Sequence, residues 1–203
     1  VPRISAERSQ AQRLRLIEAA IGVFAEKGYD ATTVDAVCRA CGVSKGAVYT
    51  YFASKEELLL AASGHVFEER FRALHDVWRR EPGAAGIEDV LEDFADSLLH
   101  SDRSFLRLWV EGFLVAGRIP ALATMKTTYH HRFGALLVDV LQSAQRAGHL
   151  SPDLDAALAA DSLMALADGL MLHLLVPELG ADADRAVRGM REILAPLSRG
   201  EQA

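Results

Sequence analysis

The densest run of chemistry-bearing side chains is Ser44-Lys45-Gly46-Ala47-Val48-Tyr49-Thr50-Tyr51, with Lys55 close behind. Lysines, hydroxyls and phenols bind phosphate oxygens, and a small residue such as Gly46 lets a backbone approach a duplex. That set suits recognition of a polyanion rather than bond breaking. Cys38-x-x-Cys41 has the spacing of a redox pair or of half a metal site. Three apart on one helix, the two thiols read more simply as core residues, and no second cysteine pair completes a four-thiolate site. The 7 histidines show no H-x-x-x-H or H-E-x-x-H spacing. Neither a metal nor a cofactor is expected. No phosphate loop, G-x-S-x-G elbow or Gly-rich dinucleotide turn is present.

These side chains need helices to position them. Thr33 can cap a short helix that stops at Gly42, and Ser44 can cap a second from Lys45 to about Phe52. Val34, Val37 and Cys38 then face inward, with Val43, Val48 and Phe52 closing on them. The pair makes a helix-turn-helix. Taken locally, it serves either packing or duplex binding. Upstream, Leu14, Ile17, Ile21 and Phe24 form one helical stripe that ends at Gly28. Downstream, Ser54-x-x-Glu57 is a capping box opening a helix to about Arg80. Further helices are expected over 87–100, 102–116, 120–147, 155–176 and 183–197. No stretch alternates with period two, so the fold class is all-α.

The chain has 203 residues, 50% of them apolar, which is enough to bury a core and excludes disorder as the main state. Its net charge of −6 is unevenly spread. Residues 1–55 carry eight basic and five acidic side chains; the remainder carries the opposite excess. A basic first quarter on an acidic protein can still meet a polyanion. With 2 cysteines and no charged segment leading into an apolar one, a cytoplasmic location without a membrane is expected. The 155–176 segment is apolar on all sides, yet Asp161 and Asp168 make it a poor membrane span. One side can face its own domain and the other a second subunit. Val187, Met190, Ile193 and Leu194 of the next helix would join a four-helix interface.

The run Thr33-Val-Asp-Ala-Val-Cys-Arg-Ala-Cys-Gly-Val-Ser-Lys-Gly-Ala-Val-Tyr-Thr-Tyr-Phe-Ala-Ser-Lys-Glu-Glu-Leu58 closely resembles the DNA-binding signature of TetR-family transcriptional regulators. Ala19-Ala20, Phe24, Gly28 and Thr32-Thr33 also fit, while Cys38 and Cys41 stand where small residues such as Ala are common. The resemblance implies an all-α homodimer. A three-helix helix-turn-helix DNA-binding domain would occupy 1–55, and a helical ligand-binding and dimerisation domain 56–203. It places Thr33, Lys45, Tyr49, Tyr51 and Lys55 at phosphate-holding positions. Ser44, Gly46, Val48 and Thr50 fall on the helix that meets the major groove of a double-stranded operator. It further implies a cavity in the second domain. Phe94, Leu98, Trp109, Phe113, Tyr129, Phe133, Met164 and Met171 are its candidate lining, suited to a small apolar or aromatic effector. The expected function is a repressor released from its operator by that effector. The competing readings are a DNA-binding regulator without a ligand, a partner-binding scaffold, and an all-α enzyme; the last leaves the basic N-terminal surface unexplained.

Overall fold

The computed structural model describes residues 6–80, 103–179, 188–189 and 192. Among them the order is α1 (Ala6–Ala31), α2 (Val34–Cys41), α3 (Lys45–Tyr49), α4 (Lys55–Arg80), α5 (Arg103–Ala116), α6 (Pro120–Ala147) and α7 (Ala156–Leu175), then a 3-10 turn at Pro177–Leu179. The described residues contain no strand, and the all-α expectation holds. The helix expected over 87–100, most of the one over 183–197, and the candidates Phe94 and Leu98 lie outside the described residues.

Packing groups the chain into two compact units, 1–68 with 102–126, and 69–101 with 127–203. These units do not follow the expected 55/56 boundary. Helices α4 and α6 are 26 and 28 residues long, and each contributes to both units. α5 packs on α1 although the two are far apart in sequence.

In the first unit α1 buries Leu16, Ile17, Ala20, Val23 and Phe24. The stripe therefore begins at Leu16 and not at Leu14, which is 39% exposed. Val37, Val48, Phe52, Leu58 and Leu59 join that core, as do Leu108, Val115, Ile119 and Leu122. Gly28 interrupts α1 as expected, but not as a simple left-handed cap. Its φ of 73° comes with an extended ψ of 171°, and one further turn runs to Ala31. The buried Thr32 hydroxyl ties that turn down by donating to the Gly28 carbonyl at 2.6 Å. The capping box at α4 forms in a shifted register. Glu57 N donates to Ser54 Oγ at 3.0 Å, while Glu57 Oε2 accepts from Ala53 N at 2.6 Å.

In the second unit Leu136, Leu137, Leu141 and Ala144 of α6 are buried, as are Ala156, Ala160, Leu163, Ala167 and Met171 of α7. Gln145 Nε2 closes the connecting loop by donating to the carbonyls of Ser151 and Leu154, both at 2.9 Å. Asp155 caps α7, accepting from Ala157 N and Leu158 N. The burial of α7 is one-sided within the single chain: Leu158 is 65% exposed, and Leu166, Leu172 and Val176 are also exposed. By length and mean hydropathy α7 could cross a membrane, but it carries Asp161 and Asp168.

Candidate nucleic-acid interface

The turn between α2 and α3 is built from local signals. Thr33 Oγ1 caps α2 by accepting from Ala36 N at 3.2 Å. Gly42 ends it in the left-handed region (φ 69°, ψ 34°), where a Cβ is disfavoured. Ser44 Oγ caps α3 by accepting from Ala47 N at 3.2 Å. α3 is shorter than expected. Beyond Tyr49 the chain tightens, because Tyr51 N and Phe52 N both donate to the Val48 carbonyl at 3.0 Å.

Two apolar side chains anchor α3. Val48 is only 1% exposed, so it cannot read a base edge; with buried Phe52 it fixes the helix on the core. Tyr51 is half-buried and packs against the same core. Ser44, Lys45, Gly46, Tyr49 and Thr50 point outward, with Tyr49 47% exposed. A Cβ on Gly46 would meet only Ser44 Oγ, at 3.9 Å. The outer face is therefore open and presents little bulk.

Several of the expected phosphate donors already hold partners. Lys45 Nζ sits 3.2 Å from Asp35 Oδ1, and the Asp35 hydrogen bond and charge raise the lysine pKa above its usual value. Lys55 Nζ donates to the Tyr29 carbonyl at 2.7 Å and lies 4.2 Å from the centre of that ring. An ammonium has three donors, so this leaves Lys55 hydrogen-bonding capacity beyond the carbonyl. The Thr50 hydroxyl donates back to the Gly46 carbonyl at 3.0 Å. Thr33 and Ser44 use an oxygen lone pair for capping, which does not occupy the O–H.

No local motif signals the contacts that hold this head from behind. Tyr29 N donates to Glu111 Oε1 at 2.5 Å across 82 positions. Arg118 grips Asp30 with both terminal nitrogens, at 3.1 and 2.9 Å, across 88 positions. The Arg118 hydrogen bond is the main cause holding the Asp30 carboxyl below its usual pKa. Pairs so far apart leave no local spacing to detect.

The expected effector residues are divided. In the first unit Trp109 and Phe113 meet edge to face with ring centres 4.7 Å apart. In the second, Phe133 meets Phe71 edge to face at 5.3 Å, and Arg132 lies over the rings of Phe71 and Tyr129 at 4.1 and 5.1 Å. Met171 is buried and Met164 half-buried. Cys38 is buried, and Cys41 is half-buried with its Sγ 3.8 Å from the Arg15 carbonyl oxygen. Among the described residues no three His, Cys, Asp or Glu side chains are grouped to hold a metal.

Two family models match the chain. One, described as bacterial regulatory proteins of the tetR family, covers residues 16–62. The other, described as the C-terminal part of a BetI-type transcriptional repressor, covers residues 83–198. The chain is 29% identical over 191 residues to the HTH-type transcriptional regulator UidR of Escherichia coli K12, covering 93% of this chain and 94% of that protein. Two solved structures share the fold. A Saccharomonospora viridis protein in complex with choline has a TM-score of 0.83 at 19% identity, covering 94% of this chain and all of that one. The SmeT–triclosan complex has a TM-score of 0.78 at 22% identity, covering 94% and 93%. SmeT is described as the repressor of a Stenotrophomonas maltophilia multidrug efflux pump.

Proposed function

The chain belongs to the tetR family of bacterial regulatory proteins, and on that premise we propose that it is a repressor released from its operator by a small, largely apolar or aromatic effector. The observation that carries the reading is the outer face of α3. It is held on the core by Val48 and Phe52, kept free of bulk by Gly46, and edged by Lys45, Tyr49 and Thr50. Such a helix can enter the major groove while flanking hydroxyls and ammonium groups hold phosphates. In this reading Ser44, Gly46 and Thr50 approach the bases, Val48 positions the helix, and Thr33, Lys45, Tyr49, Tyr51 and Lys55 serve the backbone. Lys45 exchanges Asp35 for a phosphate on binding. DNA recognition belongs to residues 1–55, and effector binding and dimerisation to 56–203.

A twofold dimer supplies the second recognition helix. Two such helices must lie about 34–36 Å apart to reach successive major grooves. The apolar side of α7 that one chain leaves exposed supports a second copy as its cover. An effector that binds better to another helix spacing draws the population away from the DNA-competent form. The ligand complexes of the two structural neighbours support a small-molecule effector. An operator places the protein with the bacterial chromosome, in the cytoplasm.

The test is Gly46→Leu. The operator is first selected from genomic fragments bound by the wild-type protein, then titrated by fluorescence anisotropy against scrambled DNA. Gly46→Leu is expected to abolish the preference for the operator. Its melting temperature should hold or rise slightly, because Gly is a poor helix former and the position is open. If this variant binds the operator like wild type, α3 is not the helix that enters the groove.

A further inference from the structure

We propose that Cys38 and Cys41 form an oxidisable dithiol, a site at which a hydroperoxide closes a disulfide and withdraws α3 from DNA. The inference is independent of any effector and rests on the DNA-binding reading above. Both thiols lie on α2, three residues apart, just ahead of the turn into α3. Residues at that spacing share one face of a helix, with Cβ atoms about 5–6 Å apart. Cys38 is buried in the core of the first unit, and Cys41 is half-buried and packs at the margin of that core. The Cys41 thiol donates to the Arg15 carbonyl of α1 at 3.8 Å. Cys41 is therefore the sulfur a small oxidant reaches first, and Cys38 is a second thiol on the same face to receive the product.

Hydrogen peroxide is the only co-reactant the chemistry needs. The Cys41 sulfur attacks one peroxide oxygen and the O–O bond breaks. One water leaves, and Cys41 becomes a sulfenic acid. The Cys38 sulfur then attacks the Cys41 sulfur. An S–S bond forms, the S–O bond breaks, and the hydroxyl departs with the Cys38 proton as a second water. Two thiols give up two electrons and two protons, and the peroxide takes them all. In a reducing compartment such a bond is transient, which suits a signal rather than a staple.

Closing the bond deforms the end of α2. A disulfide holds its Cβ atoms about 3.5–4.5 Å apart, so the two must approach by roughly 1–2 Å from their helical separation. Cys38 is fixed in the core beside buried Val34 and Val37. Cys41 is the last residue of α2, so it is the end that moves. The turn is tied to the same residues: Val43 N donates to the Cys38 carbonyl at 3.0 Å and Gly42 N to the Arg39 carbonyl at 3.4 Å. Only Gly42 and Val43 separate Cys41 from Ser44, the cap of α3. A shift at Cys41 is thus passed directly to the start of α3. Hydrogen bonds to bases and phosphates hold only over about 2.7–3.2 Å, so a displacement of that size breaks them.

The experiment compares the full chain reduced, treated with hydrogen peroxide, and treated then returned to dithiothreitol. Trypsin cuts between the two cysteines at Arg39, so after thiol blocking the bond is expected as two linked peptides of one chain in mass spectrometry. Anisotropy on the selected operator should show affinity falling by at least about tenfold on oxidation and recovering with dithiothreitol. Circular dichroism should show the helices retained. Cys38→Ala and Cys41→Ala should bind the operator like reduced wild type and lose the reversible response. Absence of the linked peptides overturns the proposal, as does a bond between chains in their place. So does unchanged affinity in the disulfide form, global unfolding on oxidation, or an equal loss of affinity in both alanine variants. Reduced protein with no preference for the operator would instead overturn the DNA-binding reading, and the mass measurement, made without DNA, is separate from it.

Discussion

Gly28→Ala is expected to destabilise the first unit far more than Gly42→Ala, although the two glycines have nearly the same φ, 73° and 69°. At Gly42 the ψ of 34° is ordinary left-handed helix, and nothing lies within 4 Å of a Cβ built there. Alanine at that position costs about 1–2 kcal/mol of backbone energy. At Gly28 the ψ of 171° belongs to a region that is essentially restricted to glycine, with a cost of order 1–3 kcal/mol for another residue. A Cβ there also stands 3.2 Å from Glu111 Oε1, the oxygen that accepts from Tyr29 N. The carboxylate can move aside, but it then loosens a charge-assisted hydrogen bond worth roughly 1.5–3 kcal/mol. That bond is only part-buried, so the lower end applies. The sum for Gly28→Ala is about 2.5–4.5 kcal/mol, against about 1–2 for Gly42→Ala. Urea denaturation followed by circular dichroism measures both, and each kcal/mol should also lower Tm by roughly 2–4 °C in a chain of this size. In a Glu111→Ala background the Gly28→Ala penalty should shrink, since the bond it disturbs is already gone. If Gly28→Ala costs no more than Gly42→Ala, or if its cost is independent of Glu111, the account of this junction is wrong.

Three further outcomes follow from the same geometry. Asp30 should titrate below the usual carboxylate range by NMR and return toward 3.8 in Arg118→Ala. A folded-state pKa held low stabilises above the unfolded value and is lost as pH falls through the folded one, so this variant should narrow its stability gap from wild type only in acid. Asp35→Asn removes a negative charge and the partner of Lys45 from the proposed DNA face. Anisotropy should show tighter binding to operator and scrambled DNA alike, by up to about fivefold; a loss of affinity would contradict the exchange assigned to Lys45. Leu172→Glu places a charge on the exposed apolar side of α7. It should convert a micromolar dimer to monomer in analytical ultracentrifugation without unfolding the chain; a persisting dimer would put the interface elsewhere.

The helices of the head and their ends follow from local residue order alone. Thr33, Gly42 and Ser44 act through atoms within a few residues, and capping and left-handed turns are local chemistry. The run from Thr33 to Leu58 also carried the family, because its inward and outward residues obey one short helix-turn-helix pattern. Periodicity placed α5, α6 and α7 to within a residue or two, since a buried stripe repeats at the helical period. It misjudged Leu14, because a stripe gives a direction and not a depth. That α5 lies on α1, that Glu111 and Arg118 hold Tyr29 and Asp30, and that Lys126 stands over three rings emerges from long-range packing. It alone divided the candidate effector residues between two packing units. Those contacts join side chains from separate helices. Nothing in local spacing encodes them; they arise only when the apolar faces of those helices close on one core.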